Sequence, residues 1–351
     1  MKPILITMGD AAGIGPEIIA KAWQNHPPDV ADCVVVGDVA IMRRAAAVVA
    51  KPLTLPVAEL GELAELGELG ELAAFQPLPN CIPVIQKCEL LEPVSIGQVS
   101  GLAGIAAADC IVWAAQAVLN SHASAMVTAP IHKQALSAAG GWAAQFPGHT
   151  EMLQFEAARF LGKGIADLPV RMMLANNELK TVLVSIHMSL KKAIEAVTFD
   201  SVLQTLRITH AALQKSLGRA PHIAVAGLNP HAGEGGLFGT EEQTIITPAI
   251  AAARLEGMQV SGPFAPDTIF MRARSKSGEP GEFDVVVAMY HDQGLIPVKY
   301  LGVEQGINVT LGLPLIRTSP DHGTAFDIAG TGKADEASLI AAIRMARKLA
   351  G

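Results

Sequence analysis

Apolar residues along this chain fall into two kinds of run. Short stretches rich in β-branched residues, "PILIT", "CVVVG", "AMVTAP", "VRMMLA", "TVLVSIH", "HIAVAGL" and "FDVVVAMY", have the length and composition of buried strands. Between them lie longer Ala/Leu-rich segments such as "EIIAKAWQ", "GIAAADCIVWAAQAVLN" and "SVLQTLRITHAALQKSL", which predict helices. The alternation predicts an α/β protein with a mainly parallel sheet, whose ligands gather at the carboxyl ends of the strands. Polar residues that directly follow a strand are therefore the first candidates for chemistry.

One segment breaks the pattern. In "ELGELAELGELGEL" (59–72) a leucine recurs every third residue, so on a helix of 3.6 residues per turn successive leucines drift by about 60° and form no stripe. It reads as a low-complexity surface insertion, and the Pro-rich "FQPLPNCIPV" after it as a connecting loop.

The 351 residues suggest two domains. Only 17% of residues are charged and the net charge is -7, which argues against nucleic-acid or anionic-membrane binding and favours small-molecule chemistry. The four cysteines (Cys33, Cys81, Cys88, Cys110) show neither CxxC nor dense spacing, so no disulfide scaffold or thiolate zinc site is expected. The apolar run in "MKPILITMGD" is too short for a signal peptide, and no stretch suggests a membrane span. A cytoplasmic setting is expected.

Among ten histidines, His26, His122, His210 and His222 lack a polar constellation around them. His187, His231 and His291 each follow a predicted strand, in "TVLVSIH", "IAVAGLNPH" and "VVVAMYH". Three neutral imidazoles along one sheet edge could hold a divalent metal with positions open for substrate oxygen. Asp292 is an outer partner that orients a ligand or stabilises the metal charge, or else a carboxylate capping the next turn. In "PGHTEMLQFEAARFLG", Thr150 reads as an N-cap and Glu151 as the start of a helix closed by Gly162, with His149 just ahead and the first amides free for an anion. Lys299, Asn308 and Arg317 follow the apolar runs of "IPVKY", "GINVT" and "PLIRTS" and could converge as anion donors. The glycine-rich "GDAAGIGPEI" lacks GxGxxG spacing and is a weak nucleotide signal; "NPHAGEGGLFG" and "DHGTAFDIAGTGKAD" are ligand loops or simple turns.

Taken in order, "GDAAGIGPEI", "VTAPIHK", "PGHTEM", "GLNPHAGEGG", "GPFAPDTIF", "MYHDQGLIPVK" and "NVTLGLPLIRTSPDHGTAFDIAG" resemble the 4-hydroxythreonine-4-phosphate dehydrogenase family of vitamin B6 biosynthesis. The resemblance implies a three-layer α/β/α fold like that of the isocitrate and isopropylmalate dehydrogenases, with two interleaved domains, residues 1–145 plus 318–351 and residues 146–317. It implies a homodimer with the active site at the subunit interface. One divalent ion (zinc, magnesium or cobalt) would be held by His187, His231 and His291, one of them from the partner. Substrate contacts are implied at His149, Thr150, Lys299, Asn308 and Arg317. The loop "DHGTAFDIAGTG" is similar to an adenine-binding loop, placing NAD or NADP near His322, Gly323 and Asp327. Two departures stand out: Ala11 replaces the family's usual proline, and the 59–72 repeat has no counterpart.

The implied reaction is metal-dependent NAD(P)-linked oxidation of 4-phosphohydroxy-L-threonine to a β-keto acid, which decarboxylates to 3-amino-2-oxopropyl phosphate. Lys299 and Asp292 are the candidates for accepting the hydroxyl proton. Related dehydrogenases act on phosphothreonate, phosphoerythronate or carboxylated aromatic dihydrodiols, and the motifs do not separate these. Two rival classes are a three-histidine zinc hydrolase and a non-catalytic phosphate binder.

Overall fold

The structure is a computed structural model that describes residues 2–49, 55–60, 80–88, 90, 94–276, 278–302 and 305–351. The chain divides into two compact units, Met1–Pro169 with Leu313–Ala350, and Val170–Gly312. These borders differ from the expected ones at 145/146 and 317/318. The reason lies in packing: the helix at His149–Leu161 packs on the helix at Gly101–Leu119, and the strand at Arg317–Pro320 pairs with the strand at Ala125–Thr128. Both therefore belong to the first unit.

Unit 1 holds strands β1 (Ile4–Thr7), β2 (Cys33–Gly37), β3 (Val57–Glu59), β4 (Ile82–Gln86), β5 (Ala125–Thr128) and β12 (Arg317–Pro320), in the order β3-β4-β2-β1-β5-β12. Every pairing among them is parallel. Its helices are α1 (Gly15–Asn25), α2 (Pro27–Val30), α3 (Val39–Val49), α4 (Gly101–Leu119), α5 (Lys133–Ala138), α6 (His149–Leu161) and α12 (Ala337–Ala350). The central strands β1, β2 and β5 are buried along their whole length, which is why they read as unbroken apolar runs.

Two expectations need correction here. The end of "FQPLPNCIPV" is not loop: Ile82 begins β4, whose Val84 pairs with Val35 of β2 inside the core. Burial on both faces outweighs the turn signal of Pro83. Second, α4 is long and apolar enough to cross a membrane by length and composition, with mean hydropathy 1.8. Its alanines raise hydropathy, yet 67% of that window is buried, so it reads as a core helix of unit 1. Of the 59–72 repeat, Glu59 closes β3 and Leu60 follows it; the remainder lies outside the described residues.

Unit 2 holds β6 (Arg171–Ala175), β7 (Lys180–Leu183), β8 (His222–Ala226), β9 (Gln259–Phe264), β10 (Val285–Ala288) and β11 (Ile307–Leu311), in the order β11-β6-β7-β10-β8-β9. The β11-β6 and β6-β7 pairings are antiparallel, and β7-β10, β10-β8 and β8-β9 are parallel. Its helices are α7 (Leu190–Glu195), α8 (Phe199–Leu217), α9 (Thr247–Leu255), α10 (Ile269–Ala273) and α11 (His291–Tyr300). Helix α8 starts where Thr198 and Ser201 form a reciprocal capping box and stops at Gly218 in the left-handed region. The core gathers alternate residues of the strands, Ala224 and Ala226 of β8 and Val286 and Ala288 of β10, against Leu295 and Val298 of α11.

Candidate functional site

In unit 2 the neighbouring parallel strands β7, β10 and β8 bring three carboxyl ends to one sheet edge. His187 stands four residues beyond β7, His291 three beyond β10, and His231 five beyond β8. The sequence placed His187 at the strand end itself; instead the ladder stops at Leu183 and the chain bends before the histidine. The rings of His187 and His291 lie 5.6 Å apart, tilted by 44°.

Asp292 Oδ1 lies 2.7 Å from His291 Nδ1. An ionised carboxylate only accepts, so it selects the tautomer with hydrogen on Nδ1 and leaves Nε2 with its lone pair available. Asp292 does not cap: α11 begins after Tyr290 without a side-chain cap bond.

His231 stands on a run of left-handed backbone. His231 (φ 52°), Ala232 (φ 54°), Gly233 (φ 81°), Glu234 (φ 42°) and Gly235 (φ 67°) follow one another. His187 has φ 40° as well. Non-glycine residues held there cost on the order of 1–3 kcal/mol each and cluster at functional sites. Among the described residues no group of three or more His, Cys, Asp or Glu side chains is arranged to hold a metal. One chain thus supplies a pair of imidazoles at this edge, with the third on a separate strained turn.

Lys299 is exposed in the last turn of α11, and the rise of that helix alone separates it from His291 by about 12 Å. Asn308 is half-buried in β11, opposite Leu174 of β6.

Unit 1 carries the other expected donors. Arg317, the first residue of β12, is buried, and its Nε and Nη2 donate to Thr128 Oγ1 at 3.0 and 2.7 Å. Thr128 closes β5, the strand paired with β12, so the sheet register sets this contact. Burial lowers the guanidinium pKa from 12.5 to about 10, opposed in part by Glu151, and Arg317 stays charged at neutral pH. His149 begins α6; burial first and the Arg317 charge second push its pKa well below 6.5, so the ring is neutral. Its Nε2 is shut off from solvent without a hydrogen-bond partner.

Thr150 is not the N-cap. Gly148 holds that position, the helix begins at His149, two residues earlier than expected, and no side chain caps it; Gly162 closes it in the left-handed conformation, as expected. A buried guanidinium, a neutral imidazole with an unmatched nitrogen and a helix N-terminus with open amides form a setting that accepts a phosphate or carboxylate.

The loop carrying His322, Gly323 and Asp327 is bound to the first strand–helix turn. Ile14 N–H donates to Thr324 O at 3.0 Å, Gly332 N–H donates to Glu17 Oε2 at 2.9 Å, and Gly330 N–H donates to Glu17 Oε1. A Cβ on Gly13 would fall 2.9 Å from Thr324 Cβ, so the glycines of "GDAAGIGPEI" permit backbone contact with this loop. Phe326 stacks on His132, centroids 4.6 Å apart. His322 Nδ1 contacts Gly323 O at 3.1 Å, while Nε2 is buried without a partner.

Sequence reasoning missed Thr128, which in "AMVTAP" looks like any strand-end residue; only the β5–β12 pairing gives it a role. It also missed His132 beside Asp10, whose carboxyl pKa burial raises despite bonds from the Ala12 and His132 amides and the His132 charge.

The profile of the family described as "Pyridoxal phosphate biosynthetic protein PdxA" matches residues 29–346. The 4-hydroxythreonine-4-phosphate dehydrogenase of Beijerinckia indica subsp. indica is 48% identical over 348 residues, covering 99% of this chain and 95% of its own. The D-threonate 4-phosphate dehydrogenase of Salmonella typhimurium is 44% identical over 351 residues, covering 99% of each. The crystal structure of a 4-hydroxythreonine-4-phosphate dehydrogenase from Klebsiella pneumoniae superposes with a TM-score of 0.84 at 40% identity, covering 99% of this chain and 98% of that one.

Proposed function

The chain belongs to the pyridoxal phosphate biosynthetic protein PdxA family, and from that premise we propose that it oxidises 4-phosphohydroxy-L-threonine with NAD or NADP as hydride acceptor. The substrate's secondary alcohol gives up its proton and a hydride. The ketone that results lies β to a carboxylate, and cleavage of that C–C bond releases carbon dioxide and leaves 3-amino-2-oxopropyl phosphate. The observation that carries this reading is the imidazole pair His187 and His291, with ring centroids 5.6 Å apart and His291 held by Asp292.

Two neighbouring imidazoles, one of them braced through Nδ1 by Asp292, fit a divalent ion such as zinc, cobalt or magnesium; when bound, it would supply Lewis acidity to a substrate oxygen while the dinucleotide supplies the hydride acceptor. Asp292 holds the His291 tautomer. Lys299 and Asp292 are the candidates to take the hydroxyl proton, Asp292 being the one beside His291. Arg317, His149, Thr150 and Asn308 bind the phosphate and carboxylate of the substrate. Arg317 is charged below about pH 10 and fixed by Thr128, which suits bidentate anion recognition. His322, Gly323 and Asp327 receive the dinucleotide on a loop pre-set by Glu17 and Ile14.

The third imidazole, on this reading, comes from a second copy of the chain. Supporting it, Met188, Leu190 and Ile194 after His187, and Leu237 and Phe238 after His231, are exposed apolar residues of the kind that oligomer interfaces cover. The cysteines are free and buried, which fits a reducing cytoplasm.

A second reading, oxidation of D-threonate 4-phosphate, is favoured by the 44% identical relative that bears that name. Turnover of both phosphorylated acids, with NAD and with NADP, before and after chelator treatment, decides between them. No activity on 4-phosphohydroxy-L-threonine alongside activity on the threonate ester would replace the first reading with the second.

A further inference from the structure

Three side chains of unit 2 take over backbone hydrogen bonding where its central strands end. Strand β10 stops at Ala288, leaving the buried Met289 without a ladder partner, two residues before His291. Ser185 Oγ, two residues before His187, donates to Met289 O at 3.0 Å. Gln293, two residues after His291, accepts from Met289 N–H through Oε1 at 2.7 Å and donates through Nε2 to Gly227 O at 2.8 Å. Gly227 lies just past the end of β8, on the segment leading to His231.

On that segment, the buried Glu242 Oε1 receives the N–H groups of Leu228 and Asn229, both at 2.7 Å, and its Oε2 receives Asn229 Nδ2 at 3.0 Å. One continuous polar chain therefore ties the segments that carry all three imidazoles.

We propose that Ser185, Gln293 and Glu242 are positioning residues that fix His187, His291 and His231 for metal binding, an inference that rests on the metal-dependent reading above. Backbone groups beyond a strand end need new partners, and any packed loop provides some. Ser185 and Gln293 come from the histidine segments themselves, so their bonds set one imidazole-bearing segment against another, while Glu242 holds the third segment from beyond its turn. The left-handed residues His231, Ala232 and Glu234 persist only if their surroundings hold them. Glu242 grips the two amides that lead into that run. Metal ligands tolerate little slack, and loss of their outer partners typically costs tenfold to a hundredfold in affinity.

The test titrates the metal-free full-length protein with Co2+ and follows melting temperature and steady-state kinetics in parallel. Gln293→Met removes both of its bonds while keeping its volume; it is expected to weaken Co2+ binding by about tenfold to a hundredfold. The melting temperature of the metal-free protein should stay near that of wild type, and kcat should recover at saturating Co2+. Gln293→Glu keeps the acceptor for Met289 N–H and should fall between. Ser185→Ala, which removes a single bond, and Glu242→Gln, which loosens the His231 turn, should move in the same direction.

Wild-type Co2+ affinity in Gln293→Met and Ser185→Ala overturns this inference while leaving the metal reading intact. A loss of kcat that saturating Co2+ does not restore, tracking a lower metal-free melting temperature, also overturns it by showing a purely structural role. A wild-type protein that takes up no Co2+ overturns both readings together.

Discussion

The two units solve opposite electrostatic problems with different backbones. Unit 1 offers positive charge to an anion and does so from inside an all-parallel sheet: Arg317 is the first residue of a buried strand, braced by Thr128 on the neighbouring strand. Unit 2 offers imidazole lone pairs and does so from beyond its strand ends, on bends and left-handed turns at His187 and His231. A guanidinium is permanently charged and pre-shaped, so a strand position and a hydroxyl on the neighbouring strand go far to orient it. An imidazole must be aimed and its tautomer chosen, which takes outer partners such as Asp292. On the proposed reading, anion recognition lives in the ladder, and ligand placement lives in the loops that leave it.

Breaking each side in turn tests the contrast. The largest effect is expected for His291→Ala, which removes one of the paired imidazoles; kcat/KM should fall by more than roughly a hundredfold, the usual cost of losing even an outer partner of a ligand. Rates at wild-type level in that variant, measured with metal in excess, would sink the assignment. Arg317→Ala should raise KM for the phosphorylated acid by roughly tenfold to a hundredfold, equivalent to about 1.5–3 kcal/mol for charge-assisted hydrogen bonds. Its metal affinity should stay unchanged, and a common loss of both properties would erase the division of labour between units.

Asp292→Asn keeps the shape of the pair but weakens the acceptor that selects the His291 tautomer. Metal affinity should drop about tenfold with little change in KM for the anion at saturating metal. Gly13→Ala puts a methyl group 2.9 Å from Thr324 Cβ. Overpacking of this kind typically costs about 1–3 kcal/mol, so thermal unfolding should shift down and dinucleotide affinity fall with it. An unshifted melting temperature would mean the turn has room that the structure denies.

The smallest effect concerns pH. Folding lowers the His149 pKa below 6.5, so the unfolded chain binds a proton that the folded chain refuses. Stability is therefore unaffected by this group above pH 6.5 and is lost as pH falls below it, at up to about 1.4 kcal/mol per pH unit. The slope attributable to His149 should vanish in His149→Asn; an unchanged slope in that variant, followed by denaturant titration, would remove His149 from the account.

Much of this was legible in the sequence, for reasons that differ by residue. Strands β1, β2, β5, β6, β7, β8 and β10 were readable because burial on both faces selects continuous apolar runs. Strand β4 was hidden because prolines and a cysteine surround it. The start of α6 was misplaced by two residues because a glycine in extended geometry, rather than the threonine, precedes it. The histidines were found because they follow strands; the turns that aim them were not, since left-handed geometry at His231 and Glu234 has no local signature without glycine at those positions.

What the sequence alone determined is an alternating α/β chain with imidazoles after three strands and an arginine opening another, because periodicity and strand composition are local properties. Strand order decided the rest. Only the β7-β10-β8 adjacency brings His187 to within 5.6 Å of His291, and only the β5-β12 pairing gives Arg317 its hydroxyl partner. Neighbours in a sheet are chosen by packing across more than a hundred residues of chain between Ser185 and Met289, and no local pattern encodes that choice.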